Sequence, residues 1–204
     1  MRFRNRREAG RLLGERLLEF KLKNPVVFGI PRGGVVVAYE VSKILNSPLD
    51  VVVSSKIPHP MNPEFAIGAI SEEGVISIRE RVFLDEDILE NRRRVVKEKI
   101  EKFREGKSLP SLNGKTAIVV DDGLATGETM LVSILALKKR KPDKIVCAVP
   151  VSSIDAKERI EREVDIFVSL LIPDVFFAVG QFYEDFGEVR DEEVMDILKK
   201  RGVA

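Results

Sequence analysis

Five short runs of apolar residues constrain the fold of this chain most strongly. They lie at 26–30 (VVFGI), 49–53 (LDVVV), 117–120 (AIVV), 144–149 (KIVCAV) and 165–171 (DIFVSLL). Each is continuous rather than alternating, so both faces of the strand it predicts must be covered. Between them lie mostly helical patterns, predicted at 6–20, 35–45, 85–105, 129–139 and 155–162, with a last helix at 192–201. Asp85 is a candidate N-cap for the long charged helix, and Gly106 is its candidate stop. Residues 54–64 carry three prolines and read as loop, while 65–70 and 75–78, split by Glu72-Glu73-Gly74, read as a hairpin. Residues 172–190 are aromatic-rich and irregular. The expected architecture is α/β: a doubly wound, mainly parallel five-stranded sheet in a single domain, 1–204.

The chain has 204 residues, 44% of them hydrophobic and 33% charged, a globular composition with room for one sizeable core. A net charge of +1 gives no global field for nucleic acid or an anionic membrane. No apolar run approaches the roughly 18 residues of a membrane span. The start, MRFRNRREAGR, lacks an apolar segment of the signal-peptide kind, so a cytoplasmic protein is the expectation. The single cysteine, Cys147, sits in a strand pattern and reads as a core residue. Abundant Lys and Glu with a single Gln, Gln181, lean towards a thermophile.

In doubly wound sheets, ligands bind beyond the carboxyl ends of the strands. Two loops fall there, 31–34 (PRGG) and 121–129 (DDGLATGET). Ala125, Thr126, Gly127, Glu128 and Thr129 enter a helix, where backbone N–H groups and the helix dipole favour an anion, and the two threonines add hydroxyl donors. The pattern reads as a monophosphate cradle. It is neither a P-loop nor a dinucleotide fingerprint, since the chain contains no G-x-x-x-x-G-K-[ST] and no G-x-G. Asp121 and Asp122 precede the cradle and suit the hydroxyls of a ribose 5-phosphate or a cation bridging them. In the other loop, Gly33 and Gly34 allow close backbone approach, and Arg32 offers a bidentate fork.

AIVVDDGLATGET, residues 117–129, resembles the thirteen-residue signature for phosphoribosyl pyrophosphate (PRPP) in type I phosphoribosyltransferases. The resemblance implies that Asp121 and Asp122 hold the ribose hydroxyls, that Ala125–Thr129 bind the 5′-phosphate, and that Gly123 belongs to the same PRPP site. FGIPRGG, residues 28–34, is similar to the family's pyrophosphate loop, often built on an unusual peptide bond, and Lys56 matches a charged residue that follows the second strand. Residues 57–84, with His59 and Glu64, occupy the place of the mobile loop that closes over the reaction. Residues 172–191 resemble the C-terminal hood of hypoxanthine-guanine phosphoribosyltransferases, with Phe177, Phe182, Tyr183 and Phe186 as candidates to stack on a base, and Glu184 as a candidate acid near metal and base.

Two positions depart from the 6-oxopurine enzymes: Ala125 stands where they carry an acid, and Ser152 where they carry a lysine that reads the oxo group. The resemblance thus implies transfer of phosphoribose to a ring nitrogen of a nucleobase-like heterocycle, with nucleotide salvage as the setting. It also implies Mg²⁺ bound largely through PRPP, with Asp121 and Asp122 as metal contacts, and a homodimer as in many members. A PRPP-sensing regulator of RNA or DNA is the second reading, and cleavage of a phosphoribosyl compound a third. The Arg92-Arg93-Arg94 run, interleaved with glutamates, reads as a salt-bridged helix face rather than an RNA stripe.

Overall fold

The computed structural model describes residues 2–79 and 85–201, without the side chains of 62–65. Glu64 as a site residue, and the stretch 80–84 of the expected mobile region, therefore lie outside the described residues.

Five strands, β1 (Pro25–Gly29), β2 (Leu49–Val51), β6 (Thr116–Val120), β7 (Lys144–Val151) and β8 (Ile166–Leu171), form one sheet in the order β2-β1-β6-β7-β8. Every pairing in it is parallel, as the continuous apolar runs require. Alternate residues feed two separate cores. Val27, Ile118, Val120, Val146 and Ala148 face α1 (Arg6–Leu18), α2 (Gly33–Ile44), α3 (Glu86–Arg104) and α6 (Asp191–Arg201). Val26, Phe28, Ala117, Val119, Ile145 and Cys147 face α4 (Glu128–Lys138) and α5 (Ile154–Glu161). Cys147 is fully buried, as its strand pattern implies.

Local signals set the helix ends. Asn5 and Ser153 accept from backbone N–H groups of Glu8 and Ala156, at 3.0 and 3.1 Å. Asp85 caps α3, accepting from the Asp87 N–H at 3.2 Å. The helix ends with Glu105 and Gly106 both in the left-handed region, at φ 52° and 74°.

One expectation is corrected. The segment read as loop, 54–64, contains β3 (Ser54–His59), which pairs with β4 (Asn62–Ser71); β4 in turn pairs with β5 (Ile76–Ile78) in a three-stranded antiparallel sheet. Prolines suggest a loop because they cannot donate to a ladder. Here Pro58 sits at a register shift between Ile57 and His59, where the missing donor is absorbed by a bulge. This small sheet packs on α3 and α4.

The chain order places the critical gap. From β1 it proceeds outwards to β2, and from β6 outwards to β7 and β8. The chain therefore reverses its direction of travel between β1 and β6, and in a sheet of this kind the ligand crevice lies beyond the carboxyl ends of the strands at that point.

Candidate active site

Loops 30–33 and 121–127 meet in that crevice. The Ile30 amide donates to the Val120 carbonyl at 2.9 Å, and the Pro31–Arg32 peptide bond is cis. A Cβ on Gly33 would lie 2.0 Å from Asp122 Oδ2, and one on Gly34 would lie 2.8 Å from Asp121 Oδ1. Glycine is therefore what allows the two loops to close on each other. Asp121 Oδ1 accepts from the Asp122 N–H at 2.8 Å.

Asp122 is the most heavily held residue of the crevice. Arg6 Nε, from the first turn of α1, donates to its Oδ2 at 2.8 Å, and the Tyr183 hydroxyl donates to its carbonyl at 2.6 Å. Burial, and then the neighbouring carboxylate, push the Asp121 carboxyl well above the ordinary range. Burial also raises Asp122, with Arg6 the principal opposing influence. The charge of Lys56, exposed on β3, favours the ionised form of both acids.

Gly127, at φ 76°, is the N-cap of α4 and offers no side chain to its first turn. An α-helix leaves its first amides without internal acceptors, so Glu128, Thr129 and Met130 present N–H groups at the end of the loop. Ala125 and Thr126 are exposed and Thr129 is half-buried. The loop is pinned from behind: Leu124 exchanges backbone hydrogen bonds of 2.9 Å with Val151 and Ser153, and the Ser153 hydroxyl donates to the Ala125 carbonyl at 2.7 Å. Gly123 lies against Val179 of the segment that follows β8.

The Glu128 side chain does not face the loop. It is buried in an ion pair with Arg159 of α5, accepts from the Ser77 hydroxyl of β5 at 2.9 Å and lies 3.5 Å from Arg79. Only its backbone lies at the end of the loop. Arg32 is half-exposed and paired with Glu188 at 3.1 Å. Lys99 of α3, unmarked by any motif, donates to the Ser54 carbonyl at 3.1 Å; burial and then the nearby Arg32 lower its pKa.

The aromatic segment divides in two. Phe182 and Tyr183 are buried with Phe3 and plug the sheet end. Phe177 is 87% exposed, on a turn braced by Gln181, whose Oε1 accepts from the Phe177 and Ala178 N–H groups at 2.8 and 3.1 Å. Phe186 lies between these cases, with the Arg6 guanidinium 3.8 Å from its ring centre. Glu184 is exposed. Ser152 is wholly buried, with its hydroxyl donating to the Ser153 carbonyl at 2.9 Å, so it does not face the crevice. His59 Nδ1 accepts from the Met61 N–H at 3.0 Å in the β3–β4 turn.

Within the Arg92-Arg93-Arg94 run, Arg93 pairs with Glu86 at 2.6 Å and Arg94 with Glu98 at 3.9 Å, while Arg92 pairs with no acid among the described residues. No group of three His, Cys, Asp or Glu side chains with metal-binding proximity occurs among the described residues, and none of the described helices is long and apolar enough to cross a membrane.

Chemically, the site sets the free backbone N–H groups of a helix start beside two carboxylates, which are hydrogen-bond acceptors when ionised. The phosphoribosyl transferase domain family matches residues 4–186. Two Mycobacterium tuberculosis proteins provisionally named phosphoribosyl transferase are 40% identical over 97% of this chain. The chain spans about half of their length, 46%. The crystal structure of TT1426 from Thermus thermophilus is 42% identical, with a TM-score of 0.82 and complete coverage of both chains. A more distant neighbour, AQ2163 from Aquifex aeolicus, shares the fold at 18% identity and a TM-score of 0.51, over 80% of this chain and 73% of its own. This chain belongs to the phosphoribosyl transferase family.

Proposed function

We propose that the protein transfers phosphoribose from PRPP to a ring nitrogen of a heterocyclic base and releases pyrophosphate. One observation carries this reading: Asp121 and Asp122 stand between the uncapped start of α4 and the glycine loop 31–34, which closes against them. A 5′-phosphate at the α4 amides places a ribose diol beside the carboxylates, and a pyrophosphate then reaches Gly33, Gly34 and Arg32. The bond from C1′ to the pyrophosphate oxygen breaks, with the electron pair leaving on oxygen, the bond from C1′ to the base nitrogen forms, and the proton that nitrogen carried passes to the released pyrophosphate or to solvent. The transition state has oxocarbenium character, so positioning and electrostatics do most of the work. Arg32 and Lys56 offset the charge developing on the leaving group. Lys56 stands at the head of the β3–β4 hairpin, whose closure excludes water.

The acids present fit a magnesium ion that arrives with its ligand. Two carboxylates, one already paired to Arg6, fall short of an octahedral set, so Asp121 and Asp122 would complete a shell supplied mainly by PRPP oxygens. When bound, the ion would offset negative charge on the pyrophosphate. The buried Ser152 and the methyl of Ala125 argue against a 6-oxopurine acceptor, and the exposed Phe177 offers a stacking surface for another flat base.

Replacing Asp121 and Asp122 together by Asn tests the reading. The variant keeps its fold by circular dichroism and loses PRPP binding by calorimetry with Mg²⁺. Affinity equal to wild type would refute it.

A further inference from the structure

Arg6 lies outside both loops and every motif, among the arginines at 2, 4, 6, 7 and 11. Its nearest companions are engaged elsewhere. Arg4 pairs with Glu8 at 2.7 Å, and Arg7 with Glu40 at 3.2 Å and Glu193 at 3.7 Å. Arg6 alone of these three turns into the crevice, where three contacts fix it. Nε donates to Asp122 Oδ2 at 2.8 Å, Nη1 donates to the Gly187 carbonyl at 2.8 Å, and the guanidinium covers the Phe186 ring at 3.8 Å. The Arg6 and Asp122 side chains are only 12% and 16% exposed. A planar cation held at three points keeps one orientation, unlike a solvated surface arginine.

The consequence falls on Asp122. Its Oδ2 is occupied by Arg6, and its carbonyl by Tyr183. Oδ1 takes no side-chain donor among the described residues. The carboxylate therefore presents one acceptor oxygen with a set direction. We propose that Arg6 is a positioning residue for sugar recognition: by holding Oδ2 it directs Asp122 Oδ1 at a ribose hydroxyl, and through Phe186 and Gly187 it couples that direction to the hood. The proposal rests on the phosphoribosyl-transfer reading.

The test compares ribose 5-phosphate with its 2-deoxy and 3-deoxy analogues by calorimetry on the full chain. A hydroxyl donated to a charged acceptor gives wild type roughly a tenfold preference for ribose 5-phosphate over at least one analogue. In Arg6→Ala that preference shrinks to about threefold or less, while affinity for the same deoxy sugar stays within about twofold of wild type, because only an oriented hydrogen bond is lost. A purely structural role would weaken all three sugars together. Phe186→Leu removes the seat of the guanidinium without touching Asp122 and shifts the preference the same way; it carries the test alone if Arg6→Ala does not fold. Retention of the full preference in the folded variants overturns the proposal. So does tighter binding of ribose 5-phosphate by Arg6→Ala, which would mark Arg6 as a competitor for Asp122. Failure of wild type to bind any of the three sugars is a different result, and it overturns the phosphoribosyl-transfer reading itself.

Discussion

At the scale of single residues, the crevice is built from groups that each tolerate little change. Gly33→Ala places a methyl 2.0 Å from Asp122 Oδ2, so loop 31–34 or the carboxylate must move. The expected result is a stability loss of about 1–3 kcal/mol by thermal melting, with loss of PRPP binding by calorimetry. Asp121 gives the opposite sign. Burial and Asp122 raise its folded-state pKa, so the folded protein binds a proton at pH values where the unfolded chain has already released it. Stability therefore falls as pH rises from the ordinary carboxylate range through the raised folded value. Asp121→Asn should raise the melting temperature at pH 7, by the equivalent of about 1 kcal/mol, and flatten that pH dependence, while abolishing ligand binding. A melting temperature below wild type at pH 7 would contradict this account. These acids, the two glycines and the small-residue loop were visible in the sequence as a pattern of residue types. Arg6 was not, because a basic amino-terminal stretch does not reveal which arginine turns inward.

At the scale of elements, buried ion pairs join the small sheet to the large one. Glu128, 3% exposed, takes Arg159 of α5, Ser77 of β5 and Arg79 around one carboxylate at the start of α4. Glu128→Ala leaves two guanidinium groups with no acid between them and should cost about 1–3 kcal/mol. Amide exchange at Ile76–Ile78 should accelerate more than at Thr116–Val120, since β5 loses its tether whereas β6 is central to its sheet. Equal acceleration in both strands would mean that the pair supports the fold generally. Arg104 and Glu72 form a second pair, whose side chains are 6% and 3% exposed, and Glu72 also accepts from the Val53 N–H at 2.8 Å. Arg104→Met strands a buried carboxylate and should destabilise by about 3–5 kcal/mol in denaturant unfolding. A loss of less than about 1 kcal/mol would show that water already serves Glu72. Element type was legible wherever one periodicity dominated. It failed at β3, where prolines outweighed the strand pattern because the bulge at Pro58 exists only against its partner β4.

At the scale of the whole molecule, sheet order explains why two loops separated by nearly ninety residues share one crevice. β1 and β6 are neighbours, and the chain leaves them in opposite directions. The five apolar runs determined that a covered parallel sheet would form, since unbroken apolar strands must be buried on both faces. The DDGLATGET stretch determined that a helix would begin at an uncapped, glycine-led turn next to two acids, since backbone amides and glycine conformations are local properties. Tertiary structure alone decided which arginine holds Asp122, that Glu128 turns away from the cradle, and that Phe182 and Tyr183 plug the sheet while Phe177 stands in solvent. Charged and aromatic side chains are interchangeable in a sequence pattern. Their partners are set by distances that exist only once the strands have paired and the helices have packed on them.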